Sequence, residues 1–384
     1  TVEIAANKYS TLAVSLLNDP QKIFTDGDTV DHKGENLNYI VPFVIDWNND
    51  KKRDLIIGAE NGNVYLHKNS GINENPVFSF PEELRANDFR INVGGFSVPF
   101  VVDWNNDNKK DFIAGSLDGN IYLYINVGED NNPLFNDTTG IIQGKPIIAN
   151  GNNINVGNDS SPFVADWNDD HMKDLLIGAG DGNIYLYLNT GMDESPQFNN
   201  TAEITQGRAI KAHEGIDLNV GSYAKPFVVD WKNNDGIEDL IVGSGDGNVY
   251  YYFNHGTETV PIFSESKREK IQNLVGDINV TGYSAPFVID WNMDKSLDLI
   301  IGNLHGNLYL YQSEPGQHPL QDCDLNNSNG QRVIDGEDLI EIQWSFGSEP
   351  GSPNWNSAVD FDDNLVINGN DLIDIFSINF GKSY

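Results

Sequence analysis

With a single cysteine in 384 residues, the chain has no partner for an intrachain disulfide and no thiolate cluster for zinc. Basic residues are scarce too. Only 23 Lys and Arg stand against 57 Asp and Glu, a formal charge of -34, so the chain cannot neutralise a phosphate backbone and nucleic acid is excluded as a partner. No apolar run approaches the roughly 18 residues of a membrane-spanning helix, so no membrane insertion is expected. Thr1 opens on neither a basic nor an apolar stretch, and the expectation is a secreted, extracellular protein whose signal peptide has been removed. Patterns of helical period are almost missing before residue 317. What is plentiful is glycine, 37 residues, and a 39 % apolar fraction weighted to β-branched and aromatic types, a composition suited to sheet.

The segment from Phe43, FVIDWNNDKKRDLIIGAENGNVYLHKN, returns from Phe100, Phe163, Phe227 and Phe287. The first aspartates of the copies, Asp46, Asp103, Asp166, Asp230 and Asp290, lie 57, 63, 64 and 60 residues apart, a mean of 61. A fixed period of this length specifies an architecture. Each copy holds two short β-branched runs of the PFVVDW and DLIIG kind and a third run that alternates after a Gly-Asn turn. A fourth centres on Phe78, Phe135, Phe198 or Phe263. Four strands make a blade that cannot bury both faces alone, and radial stacking buries them while protecting the edges. The predicted fold is therefore all-β, a five-bladed β-propeller over residues 1–316. The fifth copy stops after its third strand, Leu308 to Tyr311, so the stretch near Phe24 is expected to supply the missing strand and close the ring. A faint strand pattern from Leu12 to Asn18 leaves a partial sixth blade open.

Between the first two strands of each copy, acidic and amide residues fall at alternate positions. The first copy offers Asp46, Asn48, Asp50 and Asp54, with the Lys52 carbonyl between the last two. The second repeats this as Asp103, Asn105, Asp107, Lys109 and Asp111, and the third as Asp166, Asn168, Asp170, Met172 and Asp174. The fifth reads Asp290, Asn292, Asp294, Ser296 and Asp298. Alternate residues of a tight loop can turn inward together, and a hard cation takes six to eight oxygens at about 2.3 to 2.6 Å from carboxylates, amides and a main-chain carbonyl. Calcium fits better than magnesium, whose octahedron is stricter, and no His or Cys stands at these positions for zinc or copper. The fourth copy, DWKNNDGIED, is one residue longer and has Lys232 where the amide should be, so Asp230, Asn234, Asp235, Ile237 and Asp239 form a variant loop. Polar turns without metal are the plain alternative for any one copy. Five copies in register favour the ion.

The run PFVVDWNNDNKKDFIAGSLDGNIYLYINVG resembles the FG-GAP or VCBS repeats of integrin-type propellers and fungal propeller lectins, and the resemblance spans about Ile23 to Gln312. It implies structural calcium loops on one face, with a glycan or protein ligand on the opposite face or in the clefts between blades.

Aligned on Pro42, Pro99, Pro162, Pro226 and Pro286, the copies put Tyr39, Phe96, Asp159, Tyr223 and Tyr283 at one equivalent place ahead of the first strand. Four aromatic rings near an axis offer a surface for sugar faces; packing between blades is the alternative. The five Trp of the DWN or DWK motif (Trp47, Trp104, Trp167, Trp231 and Trp291) recur so regularly that they read as blade packing. Catalysis by acid and base requires carboxylates in unlike environments, yet the repeat-breaking Asp159, Glu60, Glu214 and Asp217 have no evident partners. No nucleophile elbow, phosphate-cradling loop or dinucleotide fingerprint is present.

After Gln317 the composition shifts, and two segments read as loop then helix. In the second, Asp360, Asp362, Asn364, Asn368 and Asp371 occupy positions 1, 3, 5, 9 and 12 of a twelve-residue calcium loop, with the Val366 carbonyl at position 7. In the first, Asp335 and Asp338 repeat the end of that pattern, while Asp324, Asn326 and Ser328 begin it with about three extra residues. Such a tandem over residues 317–384 resembles a type I dockerin, a small α-helical module that plugs secreted proteins into cohesins. By that resemblance Gly336, Glu337, Gly369 and Asn370 contact a cohesin-bearing protein. A calcium-stapled domain docked on its own propeller is the alternative.

Five calcium ions in the propeller and two in this module carry fourteen positive charges and would bring the net charge from -34 to -20. The sequence thus reads as a calcium-binding binding or adhesion module of an extracellular assembly. A polysaccharide hydrolase or lyase on the same scaffold, or a purely structural propeller, are the rival readings.

Overall fold

The structure, a computed structural model, describes residues 17, 20–23, 31–32, 35–86, 89–135, 144–198, 207–231, 236–273 and 275–313. The dockerin-like segment from residue 317, with all its expected calcium and cohesin-contacting residues, lies outside these, as do Asn234 and Asp235 of the variant loop. The described residues form five four-stranded antiparallel sheets. Strands Val41–Ile45, Asp54–Gly58, Val64–His67 and Glu82–Glu83 make the first blade, and the next three repeat it from Val98, Ser161 and Lys225. The fifth joins Ala285–Ile289, Asp298–Gly302 and Leu308–Tyr311 to Gln21–Lys22, whose residues pair with Leu310 and Tyr309. The N-terminal strand thus closes the ring, beside the position expected for it.

Each strand is placed by what its two faces meet. The second strand, DLIIG or its equivalent, is buried along its whole length in all five blades because it lies mid-blade between two neighbours. The inner strand alternates instead, sending Val between blades and Phe to the axis. Phe43, Phe100, Phe163, Phe227 and Phe287 meet edge to face around a closed pentagon, every neighbouring pair 5.0 to 5.2 Å apart between ring centres. Five members complete the circle, so no sixth blade stands in it.

Blades approach so closely that the last residue of the second strand must be glycine. A Cβ on Gly178 would lie 2.0 Å from the Ala224 carbonyl oxygen, and one on Gly302 would lie 2.2 Å from that of Ile40, where the last blade meets the first. The tryptophans pack across the same junctions: Trp47 on Phe135, Trp104 on Phe198, Trp167 on Phe263 and Trp291 on Phe78.

Those Phe positions correct one expectation. The fourth strand does not centre on Phe78, Phe135 or Phe198, which make isolated bridges to Asn69, Asn126 and Asn189. It follows a few residues later, at Glu82–Glu83, Lys145–Pro146, Arg208–Ala209 and Glu269–Lys270. The aromatic side chain is drawn inward by the neighbouring Trp, which takes that part of the chain out of the sheet. Short hairpins such as Arg85–Ala86 with Phe89–Arg90 then lead to the next blade.

Candidate functional site

The inner strands all run the same way along the axis, so the acidic loops at their ends share one face and the aromatic positions at their starts share the other. In the second blade the Asp107 and Asn108 N–H groups donate to the two carboxylate oxygens of Asp103 at 3.0 and 2.7 Å, and Lys109 N–H donates to Asp107 at 3.0 Å. Asn105 accepts from Asp107 N–H, so all these oxygens are turned into the loop. Two residues per loop take left-handed backbone to make the winding possible, Asn106 and Asn108 here and Met293 and Lys295 in the fifth blade. The Asp46, Asp166 and Asp290 loops make the same bonds to their first aspartate, and in the third loop Asn168 Oδ1 is buried without a partner.

The last aspartate of each loop is anchored below it. Asp111 is fully buried and accepts from Trp104 N–H at 2.9 Å and Asn126 N–H at 2.7 Å. Burial pushes Asp111 up to about 6 against those two donors, and the Asp107 and Asp103 carboxylates add to it. Asp298 reaches about 6 and Asp174 about 7 for the same reasons, and Asp54 is raised likewise. A donor set made only of oxygens, crowded enough to resist ionisation, fits a hard divalent cation.

The fourth loop differs as its extra residue implies. Gly236 N–H, one position later than in the other loops, reaches Asp230 at 2.8 Å. The buried Tyr251 hydroxyl donates to Asp239 at 2.7 Å, where the other blades have Leu, and burial pushes Asp239 to about 7.

Clamps between blades were not anticipated from sequence. Lys110 Nζ bonds Asp130 of its own blade at 2.9 Å and Asn49 of the preceding one. Lys173 does the same with Asp193, at 2.9 Å, and Asn106. At the next junction the equivalent residues are Glu238, Glu258 and Asp169, and a cleft of about 460 Å³ opens there against Trp167, Asp166 and Asp230. The signal was available: the residue before the last loop aspartate is Lys, Lys, then Glu in consecutive copies.

On the opposite face, Tyr39, Phe96, Asp159, Tyr223 and Tyr283 converge on the axis. All five have left-handed φ of 45 to 54°, and each N–H bonds a carbonyl in the turn of the preceding blade. Tyr39 meets Phe96 at 4.3 Å and Tyr283 at 4.7 Å, and Tyr283 meets Tyr223 at 4.4 Å. Tyr39 and Asp159 are buried, 2 % and 4 % exposed, beneath the half-buried Phe96, Tyr223 and Tyr283. Beside them sits Lys225, only 4 % exposed, whose ammonium lies 5.0 Å from the Tyr39 ring centre. Burial lowers Lys225 to about 8 although the Asp159 carboxylate favours its charged form, and burial raises Asp159. Sequence reasoning missed Lys225, although Val41, Val98, Ser161 and Ala285 occupy its place in the other blades. Of the other repeat-breaking carboxylates, Asp217 pairs with Lys211 at 2.6 Å, and Glu214 accepts from Ser264 and Ser266.

The regularity of these loops and turns has counterparts elsewhere. Residues 46–114 and 232–301 match the FG-GAP-like repeat family. Those two stretches are similar to that repeat family. Integrin alpha-7 of Mus musculus is 26 % identical over 240 residues, which is 56 % of this chain and 18 % of that protein. The Homo sapiens protein of that name is 27 % identical over 187 residues, 45 % of this chain and 14 % of its own. The chain therefore spans less than a fifth of these relatives. Among solved structures, an Agrocybe aegerita lectin recognising non-reducing terminal N-acetylglucosamine aligns with 18 % identity over 73 % of this chain and 78 % of its own, at a TM-score of 0.36. BBS1N in complex with ARL6DN aligns with 11 % identity over 80 % of this chain and 100 % of its own, at 0.41. The described residues form a five-bladed β-propeller, and two stretches of it match FG-GAP-like repeats.

Proposed function

We propose that this chain is a calcium-loaded, extracellular binding or adhesion module, attached to a larger assembly by a dockerin-like segment that engages a cohesin. The observation that carries the calcium reading is the near-identical folding of four acidic loops, with their carboxylate and amide oxygens turned inward and the last aspartate pushed above its ordinary range. In each, the alternate residues hold the ion: Asp103, Asn105, Asp107 and Asp111 with the Lys109 carbonyl in the second blade, and their equivalents in the others. The ion supplies positive charge where the chain has crowded negative charge, and the loops then fix the ends of the inner strands. The variant fourth loop, with Tyr251 already bonded to Asp239, is the weakest of the five sites. The integrin-like repeat and the absence of a second axial carboxylate beside Asp159 among the described residues support binding over hydrolysis.

Calcium titration calorimetry on chelated protein tests the metal reading, with at least four ions per chain expected. No uptake would end it. Native gels against a cohesin panel test attachment, with a shift expected for one partner and lost on deleting residues 317–384. A full-length chain that shifts with none would refute it.

A further inference from the structure

At the axial mouth two buried polar atoms lack a hydrogen-bond partner, beside a buried lysine. Tyr39 Oη and Asp159 Oδ1 have no hydrogen-bond partner, although Asp159 Oδ2 accepts from Asn158 at 2.6 Å. Lys225, 4 % exposed, holds its ammonium over the Tyr39 ring and in the field of the Asp159 charge. Groups so placed in a dry interior are destabilising unless something bonds to them. Beneath, lined by Lys225, Ser161 and the phenylalanine pentagon but by neither Tyr39 nor Asp159, lies a cavity of about 30 Å³. That is room for a water molecule or a hydroxyl group.

Chemistry narrows the occupant. An anion would bond Lys225 but face the Asp159 carboxylate, a cation would meet the reverse conflict, and an apolar group would satisfy none of the three. A hydroxyl donates one hydrogen and accepts two, matching a carboxylate acceptor, an ammonium donor and a phenol that can do either. Outside it stand Phe96, Tyr223 and Tyr283, half-buried and one ring deep, an aromatic surface suited to the carbon-bound hydrogens of a polyol ring.

We infer that the axial mouth binds a polyhydroxylated ligand of the saccharide class, one hydroxyl of which displaces water and inserts among Lys225 Nζ, Asp159 Oδ1 and Tyr39 Oη while its ring lies against Tyr223 and Tyr283. This deepens the reading of the chain as a binding module and rests on it. At this mouth the five-fold repeat is broken by a Lys and an Asp from adjacent blades, which gives the ligand one orientation instead of five.

The test uses the full chain in calcium, with the methyl glycosides of glucose, galactose and mannose as probes in saturation-transfer NMR and titration calorimetry. At least one is expected to bind in the roughly millimolar range. Lys225→Met and Asp159→Asn should each weaken it by about tenfold or more, and Tyr39→Phe, which keeps the ring and its packing, should weaken it measurably. Lys211→Ala, on the rim, should leave it unchanged. Absence of binding by every probe, or binding that these three substitutions do not alter, would overturn the inference. So would a result in which they change only the melting temperature, the mark of a site that holds water alone. Calcium uptake is measured on the same samples, so saccharide failure with calcium retained sinks this inference and spares the metal reading.

Discussion

If calcium fills the acidic loops as proposed, removing it should matter far more at pH 7.5 than at pH 5. In the metal-free fold burial pushes Asp111 and Asp298 to about 6 and Asp174 and Asp239 to about 7. The same groups titrate near 3.9 in an unfolded chain. Between those values the folded state holds protons that the unfolded state has released, so metal-free stability falls as pH rises from about 4 to 7. Below that window the penalty is gone, and above it the penalty is complete. A carboxyl held three pH units high is destabilising by at most about 4 kcal/mol. Relaxation and water penetration around these buried carboxyls reduce each penalty to about 1 kcal/mol. Four of them give about 4 kcal/mol, a melting shift of about 7 °C for a propeller of this size. A divalent ion in each loop cancels this by binding only the folded, ionised form. Melts followed by near-UV circular dichroism in EDTA and in millimolar calcium, at both pH values, measure it. The calcium-dependent gap is expected to widen by several degrees at pH 7.5. Equal gaps, or a metal-free protein that melts higher at pH 7.5 than at pH 5, would refute the reasoning.

Three further outcomes follow from the packing. Gly178→Ala places a methyl 2.0 Å from the Ala224 carbonyl and should destabilise the ring by about 3 kcal/mol in denaturant titration. Glu238→Lys installs at the third junction the clamp that Lys110 and Lys173 provide elsewhere, between Glu258 and Asp169. It should raise the melting temperature, by about 0.5 to 1 kcal/mol in stability, and lose the gain in high salt. Trp104→Ala opens a gap against Phe198 and should cost about 3 to 5 kcal/mol by the same titration.

The sequence by itself determined the repeat, the first three strands of each blade and the acidic loops, while the closed ring of five phenylalanines decided against the partial sixth blade it had left open. The properties read from sequence are local: a blade is one period of about 61 residues, and a regular loop gathers its carboxylates and amide within nine, so neighbours in sequence are neighbours in space. The ring closure was legible for a related reason, since a missing fourth strand at Tyr311 has only the other end of the ring to complete it. The fourth strand was misplaced because Phe78 and its equivalents look like strand residues until the Trp of the adjacent blade claims them. Tertiary structure alone decided the phenylalanine pentagon, the clamp of Lys110 across to Asn49, and the meeting of Tyr39 with Asp159 and Lys225. Each of these gathers side chains from blades whose equivalent residues lie 57 or more positions apart. Only the radial closure of the ring, driven by burial of the blade faces, brings such residues within reach of one another.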